Sequence, residues 1–223
     1  MTLKTYIKNK KNNKYRISGV DVEIHEKVPS NINLNQVINT ALQRIPDHLL
    51  SNLKSIKIGD FDVLRRREIQ AMYKDSTVYV TNMQDDEDDL LDDIIHEIAH
   101  SIEETHYKEI YEDGLLEQEF INKRKAMWQT LKSRGLEFDL GPFLEPSYSR
   151  QFDDLLHDTI GYSTLRFILQ DIFYSPYAST SIREYFANGF EAFFMKEDVL
   201  RLKRLSPVLY KKITILMDKK DEF

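Results

Sequence analysis

His96-Glu97-Ile98-Ala99-His100 lies inside a stretch whose apolar residues recur at helical spacing, and this pairing constrains the chain more than any other feature. Leu90, Leu91, Ile94, Ile95, Ile98, Ala99 and Ile102 fall on the face opposite the histidines, which predicts a helix buried behind and polar in front. A helix turns about 100° per residue, so the two imidazoles project from one side one turn apart, as two ligands of a single tetrahedral ion require. Cysteine is absent, which removes disulfides and thiolate sites and leaves His and carboxylates as the ligands available to a transition metal. Such a site makes Zn2+ the expected cofactor, with Glu97, between the two ligands, as the general base.

The polar side of this helix carries Asp92 and Asp93 one turn before the histidines and Glu103 one turn after. Glu103 is placed either to accept the free ring N–H of a ligating histidine or to serve as surface charge. The dense acidic run from Asp85 to Asp93 marks the helix start, where carboxylates suit the macrodipole. It contains no Gly and so does not form a calcium loop.

No third histidine follows at short spacing with the required Gly, since His106 stands in a different setting, and a distant carboxylate is the better third ligand. From Tyr177 to Met195, Glu184, Asn188 and Glu191 form a polar stripe within about 60° of helix, facing away from Phe186, Phe190, Phe193 and Phe194. Glu184 and Glu191 are both open on this reading, and His157 and Asp158 are weaker candidates. Gly189 lowers helix propensity by about 1 kcal/mol relative to Ala, which predicts a close approach of another helix.

These 223 residues suffice for one sizeable core, and the pattern predicts an α+β class: mostly helical, with a small mixed N-terminal sheet packed on the histidine-bearing helix. Val20, Val22 and Ile24 alternate with polar residues, predicting a strand over 17–26, with further strands over 54–61 and 77–81. The segment 77–81 is expected at a sheet edge, where an extended peptide would add as a strand. A helix is expected over 35–50 with Pro46 ending or kinking it, then 115–131, 150–174, 180–195 and 207–217 after the active-site helix. Residues 1–16, with Lys4, Lys8, Lys10, Lys11, Lys14 and Arg16 and no acidic residue, read as a flexible basic arm preceding one domain over 17–223.

The net charge of -6 argues against a general nucleic-acid binder. No apolar run approaches a membrane span, and residues 1–30 lack a signal-peptide core, so a soluble chain is expected, cytoplasmic rather than secreted.

In its motifs the chain resembles the anthrax lethal factor catalytic domain and the related secreted Pro-Pro endopeptidases. These zincins pair HExxH with a later helix of form Glu-(Phe/Tyr)-Phe-Ala-x-x-Phe, matched by Glu184-Tyr185-Phe186-Ala187-Asn188-Gly189-Phe190. The resemblance covers roughly 77–105 and 174–196 and implies a zincin-like metallopeptidase fold. It also implies Glu184 as third zinc ligand with His96 and His100, Tyr177 as catalytic tyrosine seven residues earlier, and Glu103 as the acidic residue three after the second histidine. Two departures stand out. Asn188 replaces the family's usual Glu, and the 83 residues between His100 and Glu184, with a helical insertion over about 106–172, exceed the family's connection.

The implied function is zinc-dependent endopeptidase action on a peptide or protein substrate, with secretion favoured by the resemblance. The competing reading is a catalytically silent zincin-fold component of a larger assembly, for example a viral particle, docking through the insertion or the basic arm. An intact Glu97 argues for turnover.

Overall fold

The computed structural model describes residues 14–196 and 198–218, so most of the basic arm expected at the N-terminus lies outside the described residues. The class is α+β, mostly helical with a five-stranded mixed sheet. The described chain falls into two compact units, residues 14–105 and 106–218.

The first unit holds the sheet. Its strands are β1 (Lys14–Ile17), β2 (Val20–Ile24), β3 (Ser55–Ile58), β4 (Ala71–Lys74) and β5 (Thr77–Val80), in spatial order β1-β2-β3-β5-β4. β2, β3 and β5 run parallel, with β1 and β4 antiparallel on the flanks. Lys14 and Arg16, expected in a flexible arm, belong to β1, where Lys14 pairs with Glu23 at 2.6 Å. Ser18 and Gly19 both take positive φ, the requirement of a two-residue hairpin turn, so the expected single strand over 17–26 becomes a turn followed by β2.

Asp75 and Ser76 turn the chain in the same way between β4 and β5. That hairpin overturns the expected edge: β5 is paired on both sides, by β3 and by β4, and the outer strand is β4. A peptide cannot add to residues 77–81, because their backbone groups already serve the sheet.

Helix α1 (Leu34–Arg44) starts on the Asn33 side chain, which accepts from the Gln36 N–H, and buries Val37, Ile38, Ala41 and Leu42. It stops where Pro46 forces Ile45 into an extended conformation, and a 3₁₀ turn (Asp47–Leu50) follows in place of the longer helix expected. A short α2 (Asp62–Arg67) precedes β4. Helix α3 (Glu87–Thr105) packs over β4, β5 and α1, burying Leu90, Ile94, Ile95, Ile98 and Ile102 on the sheet side.

The second unit is helical: α4 (Tyr107–Tyr111), α5 (Leu115–Ser133), α6 (Arg150–Asp154) continued by one π-helical turn (Leu155–Ile160), α7 (Tyr162–Leu169), α8 (Ile182–Phe194), α9 (Val199–Leu205) and α10 (Pro207–Asp218). Gly161, at φ 84°, breaks the long helix expected over 150–174. Phe120, Phe173, Tyr185, Phe186 and Phe190 are almost fully buried and form its aromatic core. Gly189 meets the Leu209 side chain of α10, the close helix approach that a glycine inside a helix foretold. Among the described residues no helix is long and apolar enough to cross a membrane.

Candidate metal centre

Helix α3 begins on Asp86, whose carboxylate accepts from the N–H groups of Asp88 at 2.9 Å and Asp89 at 3.0 Å. The acidic run therefore caps and charges a helix start, as its composition suggested. Glu87 reaches back to accept from the Asn33 N–H at 2.7 Å, so the starts of α1 and α3 are tied together.

Three turns on, the rings of His96 and His100 lie with centroids 5.1 Å apart and planes at 77°. His100 Nδ1 is 2.6 Å from Glu103 Oε2, and both side chains are buried. With Nδ1–H donating to this carboxylate, a neutral ring presents at Nε2 the lone pair that a metal ion needs. Glu103 is therefore bonded to the His100 ring and is not simple surface charge.

Glu97 is also buried, and its Oε2 accepts the backbone N–H of Tyr73 at 2.5 Å from the outer edge of β4. The Tyr73 phenol donates to Glu104 at 2.7 Å and accepts from the Asn52 amide at 2.8 Å, which fastens β4 along α3. Burial first, then the Glu104 carboxylate, pushes that phenol up to about 12. One turn before Glu97, burial pushes Asp93 up to about 6, opposed by the hydrogen bond from Gln84 at 2.8 Å and reinforced by the Glu97 charge. The face expected to be polar carries acids, of which Glu97 and Glu103 are buried. Two imidazoles on one face, one of them bonded through Nδ1 to a carboxylate, are side chains that could hold a metal ion.

Glu184 and Tyr177 belong to the second unit. Ser181 caps α8, its Oγ accepting from the Glu184 N–H at 3.2 Å. Ser181-Ile182-Arg183-Glu184 also has the spacing of a capping box, whose Ser181 half is the bond just described. Tyr177 opens the 3₁₀ turn Tyr177–Ser179 and is exposed. The turn is closed by the Thr180 N–H and Oγ donating to the Tyr177 carbonyl at 3.0 and 2.9 Å.

Sequence reasoning missed what holds this turn. Arg124 is 1% exposed; its guanidinium donates to the carbonyls of Ser179 at 2.8 Å and Thr180 at 2.5 Å, and also to those of Pro142 at 3.3 Å and Glu145 at 2.5 Å. The rings of Phe120 and Phe152 lie 4.7 and 4.1 Å from its central carbon. Its signal was position: Arg124 continues the apolar register Leu116, Phe120 on α5, where a charged residue needs partners.

The other candidates fall elsewhere. Glu191 lies beside the Asn188 amide, 3.4 Å from Nδ2, and the Asn188 Oδ1 is buried without a hydrogen-bond partner among the described residues. His157 and Asp158 are exposed on the π-helical turn and bond each other at 2.7 Å. Comparison with family models, curated proteins and solved structures finds no match to this chain.

Proposed function

We propose that this protein is a zinc-dependent endopeptidase in which His96, His100 and Glu184 hold the metal, Glu97 is the general base and Tyr177 binds the developing oxyanion. The observation that carries the reading is the α3 helix: paired imidazoles, a buried acid between them, and Glu103 fixing the His100 tautomer. Structural histidines on a helix face have no need of that set. The motif resemblance supplies Glu184 and Tyr177.

The chemistry zinc supplies when bound is Lewis-acid polarisation of water and of the scissile carbonyl. Glu97 takes a proton from the attacking water at one carboxylate oxygen and returns it to the leaving amine. The Tyr73 N–H, bonded to Oε2, fixes which way the Glu97 carboxylate turns. The Tyr177 O–H donates to the carbonyl oxygen as negative charge develops there.

The test is metal content of the purified protein beside Glu184→Gln, Glu184→Ala, Glu191→Ala and Glu97→Gln, with peptide-library cleavage on the same samples. Glu184→Gln preserves the capping-box spacing, so zinc lost from it at unchanged thermal stability assigns ligation rather than capping to Glu184. The expected result is one zinc per chain in wild type, Glu191→Ala and Glu97→Gln. It is lost with either change at Glu184, and cleavage falls roughly 100-fold or more in Glu97→Gln. Stoichiometric zinc with no cleavage supports the silent-component reading, and absence of metal overturns the proposal.

A further inference from the structure

A cavity of about 590 Å³ lies in the second unit beside the helix that carries Glu184. Its walls include Asn188, one turn after Glu184, and Glu191, about two turns after, together with Pro176, the residue before Tyr177. Leu169 and Phe173, each 1% exposed, form an apolar floor. One helical turn rises about 5 Å, which is the spacing along the helix between Glu184 and Asn188. The cavity is therefore bordered by residues one helical turn from Glu184 and next in the chain to Tyr177.

Its charge is uneven. Arg166 of α7 and Arg201 of α9 both line it against the single carboxylate of Glu191. Arg201 is held in place: it donates to the carbonyls of Gln170 at 2.9 Å and Tyr174 at 3.3 Å, and its guanidinium lies 4.8 Å from the Tyr174 ring centre. Carbonyls and a ring face orient a guanidinium without neutralising it. Arg166 is exposed, and among the described residues it makes no hydrogen bond or ion pair. The opposing carboxylate is engaged, with the Asn188 Nδ2 3.4 and 3.5 Å from its two oxygens. Two guanidiniums above an apolar floor match a ligand with a short aliphatic stem and a terminal carboxylate.

We infer that this cavity is a specificity pocket for an acidic side chain, Asp or Glu, of the peptide substrate. Its assignment to a substrate rests on the endopeptidase reading above. Arg166 supplies the selective charge at the mouth, and Arg201 supplies the fixed charge at the wall.

The test is binding of a position-scanned peptide set, each position in turn Glu, Gln, Lys or Leu, to the zinc-loaded full-length Glu97→Gln protein, followed by fluorescence anisotropy. At one position Glu is expected to bind about tenfold more tightly than Gln. Arg166→Glu should reverse that preference in favour of Lys, and Arg166→Lys should retain most of it. Because Arg166 is exposed and unbonded, these variants fold, which circular dichroism checks. Equal binding of Glu and Gln peptides at every position, or a preference untouched by Arg166→Glu, overturns the inference. The two readings fail separately. Wild-type cleavage indifferent to acidic residues sinks the pocket and leaves the peptidase standing, whereas acid-dependent binding without wild-type cleavage supports the pocket and removes the peptidase.

Discussion

Glu103 Oε2 stands 2.6 Å from Nδ1 of His100, three residues earlier on the same helix, and the pair is shut away from solvent. A buried carboxylate in that place raises the basicity of the ring and fixes its orientation, so its removal is felt at Nε2. Glu103→Ala is expected to weaken zinc binding about 10- to 100-fold, with Glu103→Gln intermediate. Chelator-competition titration measures it, and wild-type affinity in Glu103→Ala would show the carboxylate to be mere packing.

Gly189→Ala separates helix propensity from packing. On propensity alone Ala is favoured by about 1 kcal/mol. The added Cβ meets the Leu209 side chain of α10, with Cγ at 2.9 Å, so a buried neighbour has to shift. We expect net destabilisation of about 1–3 kcal/mol by urea denaturation, and a stabilised variant would mean that α10 yields freely.

Arg124→Met keeps the bulk between Phe120 and Phe152 but strips donors from four carbonyls. The expected loss is roughly 3 kcal/mol or more, because each buried acceptor left alone carries its desolvation cost. Hydrogen exchange should speed selectively at Ser179 and Thr180. Unaltered exchange there would show that the Tyr177 turn holds itself.

Lys123 gives an alkaline signature. Its Nζ donates to the carbonyls of Ile172 at 2.5 Å and Leu205 at 2.6 Å, and burial lowers it to about 8, opposed by the nearby Glu119 charge. In the unfolded chain a lysine titrates near 10.4, so between about pH 8 and 10.4 the unfolded state binds more protons and this residue's contribution to stability rises with pH. Subtracting the stability curve of Lys123→Met from that of the wild type should expose a positive slope in that window. A flat difference would show that the ammonium is as well solvated folded as unfolded.

Much of the local structure was legible. The 3.6-residue periodicity around His96 and His100 predicts α3 and its buried side, and the aromatic spacing after Ser181 predicts α8. Pro46 marks the end of α1 because a residue before proline avoids helical ψ. Ser18-Gly19 and Asp75-Ser76 were harder, because a turn lacking the usual Asn-Gly pair is recognised only once its flanking strands are known. Without those turns β1 and β4 are invisible, and β5 reads as an edge although β3 and β4 flank it.

Sequence by itself determined the chemistry on offer: two imidazoles one helical turn apart, an acid between them, a carboxylate three residues on, and no thiol anywhere. These follow from residue type and helical period, which act over a few residues. Tertiary structure alone decided that β4 closes the sheet, that the Tyr73 backbone takes hold of Glu97, and that Arg124 gathers carbonyls from Pro142 to Thr180. Such contacts join residues far apart in the chain, where the requirement to satisfy every buried polar group selects partners that no local pattern records.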